Sequence, residues 1–151
     1  MPVGEDTFAY RRSLPHLAKN GKTYFITFRT ADHLVLSPAA RDIVLKSCLH
    51  DHRRLCWLHC VVVMPDHVHL LITPFGNTTL QALMRRMKGA SGHEVNRLLG
   101  CHGAVWQRES FDHILRGDES LMKKAEYIAR NPIRAGLVDR SRDYKWWWRP
   151  E

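Results

Sequence analysis

Apolar and polar residues interleave along Lys22 to Thr30, with Thr23, Phe25, Thr27 and Arg29 on one side of the alternation and Tyr24, Ile26, Phe28 and Thr30 on the other. This aromatic and β-branched content predicts a first strand. At Ser37-Pro38 the period changes. A capping serine, proline at the first helical position and Ile43, Val44, Cys48 and Leu49 at helical spacing predict a helix from about Pro38 to Asp51. Leu55 to Met64 then holds Trp57, Leu58, Val61, Val62 and Val63, the composition of a buried strand. Pro65-Asp66 cannot continue a ladder, so they turn the chain into a further strand starting near His67, antiparallel to the one before it. Side chains alternate along a strand, so His67 and His69 project together while Val68, Leu70 and Ile72 face the other way.

Phe75-Gly76-Asn77 reads as a turn, and Thr78 or Thr79 caps a second helix whose stripe is Leu80, Leu83, Met84 and Met87. Gly89-Ala90-Ser91-Gly92 predicts a kink before Val95, Leu98 and Leu99 resume the period, and Gly100 ends the helix. Val105 to Arg108 and Phe111 to Leu115 predict one bent fourth strand. A last helix, from about Ser120 to Arg130, carries Leu121, Ala125, Ile128 and Ala129 as its stripe and closes at Asn131-Pro132, because the residue before proline avoids the helical region. Tyr127 lies well off that stripe and shares a face with Lys124 and Asn131. The order strand, helix, strand, strand, helix, strand is that of an α+β, ferredoxin-like antiparallel sheet (βαββαβ) with helices on one face, extended by a C-terminal helix that carries the tyrosine.

The 151 residues suit a single domain, 1–151, with a basic arm over about 1–20 and a Trp-rich tail over about 139–151. Lys and Arg number 23 against 15 Asp and Glu, a formal charge of +8, which points to a polyanionic partner such as nucleic acid, although solubility alone also makes small proteins basic. Cys48, Cys56, Cys60 and Cys101 form no CxxC pair and read as reduced thiols. Cys56 and Cys60, expected on one strand face, and His59 leave a zinc alternative open. No apolar run reaches the roughly 18 residues of a membrane span and no leader pattern opens the chain, so a cytoplasmic protein with no membrane partner is expected.

His67 and His69 make a candidate metal pair, but ordinary hydrogen-bonded histidines share that pattern. Two imidazoles alone hold a cation weakly. Asn131, four residues beyond Tyr127 on the same helical face, fits an oxygen ligand, while Tyr127 fits either a packing aromatic or a nucleophile that conserves bond energy as a phosphotyrosine. Arg11, Arg12, Arg85, Arg86, Lys88, Lys123, Lys124, Arg130 and Arg134 are candidate phosphate contacts, or a solvated basic face. Trp146, Trp147 and Trp148 suit base stacking or packing onto the domain, and His113 a structural hydrogen bond, a ligand or a DNA contact.

These residues carry a family likeness. Val62-Val63-Met64-Pro65-Asp66-His67-Val68-His69-Leu70-Leu71-Ile72 resembles the histidine-hydrophobic-histidine signature of the HUH single-strand endonucleases. Val105-Trp106-Gln107-Arg108, Phe111-Asp112-His113 and the run from Tyr127 through Asn131-Pro132 to Gly136-Leu137-Val138 resemble the REP-associated tyrosine transposases of that superfamily, as do Arg11 to His16 and Tyr24 to Arg29. The resemblance covers nearly the whole chain. It implies a metal-dependent enzyme that nicks and rejoins single-stranded DNA at hairpins of repetitive extragenic palindromes, working as a monomer or homodimer. By the same resemblance Tyr127 attacks the phosphate and leaves a 5′-phosphotyrosine, and His67, His69 and Asn131 bind Mg²⁺ or Mn²⁺. Asp66 stands where these proteins commonly have Asn, and Trp146-Trp147-Trp148 replaces a single Trp followed by small polar residues. A catalytically inactive nucleic-acid-binding regulator on the same scaffold is the alternative.

Overall fold

The computed structural model describes residues 21–151, less the side chains of residues 117–120. The basic arm, with Arg11 and Arg12, lies outside the described residues. The chain runs β1 (Tyr24–Arg29), α1 (Pro38–Leu49), β2 (Cys56–Val63), β3 (His67–Pro74), α2 (Leu80–Leu99), β4 (Phe111–Ile114), α3 (Gly117–Arg134), a 3₁₀ turn (Ser141–Asp143) and β5 (Trp147–Trp148). The sheet is antiparallel in the order β4-β1-β3-β2-β5. Its first four positions are the ferredoxin-like order expected from the element sequence.

Alternation sorts the strands between two cores. Ile26, Phe28, Val61, Val63, Val68, Leu70 and Ile72 face α1 and α2, meeting Ala40 and Val44 of the first helix and Leu83, Met87 and Val95 of the second. Phe25, Cys60, Val62, Met64 and Leu71 face the opposite way, where Leu121, Ala125, Ile128 and Ala129 of α3 cover them. Thus α1 and α2 occupy one face and the tyrosine-bearing helix has the other. Ser37 and Thr79 cap their helices as expected, through bonds from Ala40 N (3.2 Å) and Ala82 N (3.1 Å), and Gly100 closes α2 in the left-handed region at φ 64°.

Four expectations need correction. Cys56 and Cys60 do not share a face, because β2 bulges between Leu58 and Cys60 against β3. One extra residue reverses the alternation. His59, at the bulge, reaches Thr73 Oγ1 through Nε2 (2.7 Å), and Thr73 in turn bonds Thr23. Second, α2 runs uninterrupted through Gly89 to Gly92. The small residues admit a neighbour instead: Val105 and Trp106 pass over Gly92, and Trp106 Nε1 donates to Ser91 Oγ (2.9 Å). Third, the fourth strand is two pieces, a bridge from Trp106 to Thr30 and the four residues of β4. Lys88 Nζ donates to the carbonyls of Gln107 (2.8 Å) and Arg108 (3.2 Å) and to Ser110 Oγ (3.0 Å), holding the chain where it breaks. Fourth, α3 continues through Asn131-Pro132 to Arg134. Pro132 is buried. It forfeits one helical N–H, and the carbonyls of Asn131, Pro132 and Ile133 accept from Ala135, Leu137 and Gly136 as the helix closes.

The tryptophan tail is part of the sheet. Tyr144 donates its hydroxyl to the Val63 carbonyl (2.6 Å), Val63 N donates to the Trp146 carbonyl (2.9 Å), and Trp147 and Trp148 pair with Val62 and Val61. This short strand protects the β2 edge.

Candidate functional site

The Pro65-Asp66 turn fixes where the histidines begin. Met64 N donates to the His67 carbonyl (2.8 Å) across the turn, while its outer carbonyls accept from Leu36 N (2.6 Å, at Pro65) and Thr30 N (2.9 Å, at Asp66). Pairing with β1 sets Thr27 opposite His69 and Arg29 opposite His67. Facing residues of antiparallel strands share a side of the sheet. Thr27, Arg29, His67 and His69 therefore all look toward the face that α3 crosses.

The two imidazole rings lie 4.6 Å apart between centroids. Each is oriented through Nδ1. His67 Nδ1 donates to Asp66 Oδ1 at 2.7 Å, and His69 Nδ1 shares a hydrogen bond with Thr27 Oγ1 at 2.7 Å. His67's bond holds the Asp66 carboxyl below its ordinary range. Burial, reinforced by the charges of His67, Arg29, Arg134 and Lys124, pushes the His69 imidazole down to about 3, so it is neutral at physiological pH. Imidazoles held through Nδ1 keep Nε2 as the second ring nitrogen, the donor type that a cation takes up.

Tyr127, 46% exposed, comes to this face from α3 with its ring 6.0 Å from His69. Phe25 is the floor between them: its ring stacks on His69 at 5.5 Å and meets Tyr127 edge-on at 6.2 Å. Two cations flank the phenol. Arg134 lies 4.1 Å over the Tyr127 ring and donates to the Tyr127 carbonyl (2.6 Å), and Lys124 Nζ is 4.8 Å from the Phe25 ring and 5.7 Å from that of Tyr127. Asn131 follows Tyr127 by one turn of α3 and is half-buried. Lys123 and Arg130 are on the same helix. Among the described residues no three His, Cys, Asp or Glu side chains converge as a metal site.

The remaining candidates are elsewhere. Arg85, Arg86 and Lys88 lie on α2, across the sheet, where Arg86 grips the buried Asp51 carboxylate through Nε (2.7 Å) and Nη2 (2.9 Å) and Lys88 holds the 107–110 segment. Trp146 packs between the Arg41 guanidinium, 4.2 Å over its ring, and Asp42, whose Oδ1 accepts from Nε1 at 2.8 Å. The structure uses Trp146 for packing. Burial pushes the Cys56 thiol up to about 12 and the Cys60 thiol up as well. The two point to opposite cores and His59 bonds Thr73, so the zinc alternative loses its geometry. A cleft of about 640 Å³ opens between α2 and residues 103–112, lined by Met84, Gly92 and Trp106, but it too lies away from the histidines. Sequence reasoning missed Phe25, Thr27 and Arg29 as parts of the histidine-bearing face; their shared alternation in β1 was visible, their register with β3 was not.

A ferredoxin-like sheet thus presents two oriented imidazoles beside a helix-borne tyrosine, with two cations around the phenol. Residues 35–131 match the family model described as "Transposase IS200 like", and the chain belongs to that family. A Haemophilus influenzae protein assigned by name to the REP-associated tyrosine transposases is 28% identical over 94 residues, spanning 56% of this chain and 53% of that protein, so the chain matches about half the relative's length. The fold is shared with a REP-associated tyrosine transposase solved bound to a REP hairpin, at a TM-score of 0.65 and 22% identity over 93% of this chain and 82% of the other. Among the described residues no helix is long and apolar enough to cross a membrane.

Proposed function

We propose that the protein nicks and rejoins single-stranded DNA beside a REP-like hairpin, with Tyr127 as nucleophile. The observation that carries this reading is the His67–His69 pair, both rings oriented through Nδ1, with the His69 ring 6.0 Å from that of Tyr127. His67 Nε2, His69 Nε2 and the Asn131 amide oxygen would hold a divalent cation, Mg²⁺ or Mn²⁺. When bound, such a cation neutralises charge developing on the phosphate oxygens. Asp66 and Thr27 keep the imidazoles aimed, and the low basicity of His69 keeps it a lone-pair donor. Lys124 and Arg134 hold the strand's phosphates over Phe25 and Tyr127.

The Tyr127 Oη forms a bond to phosphorus as the bond from phosphorus to the 3′-oxygen breaks. The phenolic proton leaves to solvent, and the departing oxygen takes up a proton to become a free 3′-hydroxyl. The other fragment stays attached as a 5′-phosphotyrosine, whose bond energy lets a 3′-hydroxyl reverse the step without ATP. Incubation of the protein with single-stranded palindromic repeats and Mn²⁺ should give a covalent adduct that resists denaturation. Tyr127→Phe should abolish the adduct and keep binding. An undiminished adduct in that variant, or one formed equally well in chelator, overturns the reading.

A further inference from the structure

The edge strand β4 carries an aromatic that the nicking chemistry does not use. Phe111 is 59% exposed on a strand whose four residues are all exposed. Its partner across the ladder is Thr27, the residue bonded to His69, and His113 stands opposite Phe25. Phe111 and His113 therefore project onto the face of His67, His69 and Tyr127. The Phe111 ring meets Phe25 edge-on at 6.2 Å, the same separation at which Phe25 meets Tyr127, so one buried ring links the exposed aromatic to the proposed nucleophile. Lys124 Nζ stands 4.8 Å from that shared ring. A flat, solvent-facing π surface beside a cation and beside the proposed cleavage point is the arrangement that holds an unpaired base while its phosphate is neutralised nearby. Lys124 and Arg134 beside the ring supply the positive charge that a nucleic-acid backbone takes up next to a stacked base.

The geometry points to Phe111 as a stacking platform for an unpaired nucleobase flanking the attacked phosphate, a subsite that positions the strand over Tyr127. This rests on the single-strand reading above, deepening it from a charge-guided surface to a base-holding one.

The test is binding of a fluorescein-labelled hairpin oligonucleotide with a single-stranded flank, followed by anisotropy in chelator so that no cleavage occurs. Phe111→Ala should weaken binding by roughly 5- to 150-fold, the range of one base-aromatic stack. Phe111→Trp should restore it, and Phe111→Leu, apolar but without a π face, should lose as much as alanine at an unchanged thermal midpoint. An abasic nucleotide moved along the flank should at one position weaken the wild type by the same factor while costing Phe111→Ala nothing further. Wild-type binding by Phe111→Leu, or equal abasic losses in wild type and Phe111→Ala at every position, would overturn the platform. A parallel adduct assay in Mn²⁺ separates the two readings. Loss of binding in Phe111→Ala without any wild-type adduct leaves the platform standing and removes the nuclease; a wild-type adduct with unchanged Phe111→Ala binding does the reverse.

Discussion

Asp66 and Thr27 decide how His67 and His69 present their free nitrogens. A ligating histidine depends on the partner of its other nitrogen, and loss of such a partner typically weakens metal affinity by about 10- to 100-fold. Asp66→Ala removes the acceptor of the 2.7 Å bond from His67 Nδ1. Calorimetric titration with Mn²⁺ should therefore show affinity reduced within that range, and an unchanged affinity would mean that Asp66 does not orient the ligand. The histidine pair and the off-stripe tyrosine were legible in the sequence because each depends on local periodicity, 2 on a strand and 3.6 on a helix. Thr27 and Phe25 were not. Their role arises from the pairing of β1 with β3, more than forty residues away, which no local pattern encodes.

At the scale of elements, two internal contacts separate stability from chemistry. Asp51 is nearly fully buried and is held below the ordinary carboxylate range chiefly by Arg86, with help from His50 and Arg54. Arg86→Ala leaves that carboxylate short of a partner and should cost about 1–3 kcal/mol, read from a lower urea midpoint, with the salt dependence of DNA binding unchanged. A reduced salt dependence would instead make Arg86 a phosphate contact. His59, at the bulge of β2, is pushed by burial from an ordinary 6.5 down to about 3. The unfolded chain therefore takes up a proton as pH falls through about 6.5, while the folded chain stays neutral until about 3. The stability this residue contributes is complete above pH 6.5 and declines through the window down to 3. The stability gap between wild type and His59→Gln should shrink from pH 7 to pH 4 in urea titrations; a gap that widens would contradict the linkage. The bulge itself was not legible, because it is set by the fit of β2 to β3 and by Thr73. The same holds for α3 running on through Pro132, where tertiary packing overrides a local preference that is itself modest.

For the whole molecule, the element order predicted the four-strand topology, and the structure adds β5, a cover for the β2 edge that a run of tryptophans does not announce. The two-sided sheet sorts the cations: Lys124 and Arg134 stand by the tyrosine, whereas Arg86 and Lys88 serve the opposite layer. Binding of a single strand should weaken with salt, and Lys124→Ala or Arg134→Ala should each flatten the logarithmic slope by about 0.7, one phosphate contact. A slope unchanged in both variants would move the strand off this face. Peptide mapping of the covalent adduct by mass spectrometry tests the pairing of Tyr127 with His67 and His69 most directly. The chain offers four tyrosines. The phosphonucleotide is predicted on Tyr127 alone, in Mn²⁺, and is predicted to vanish in the His67→Ala, His69→Ala double variant. A nucleotide on Tyr10, Tyr24, Tyr144 or any other side chain, or an adduct that survives loss of both histidines, would contradict the account.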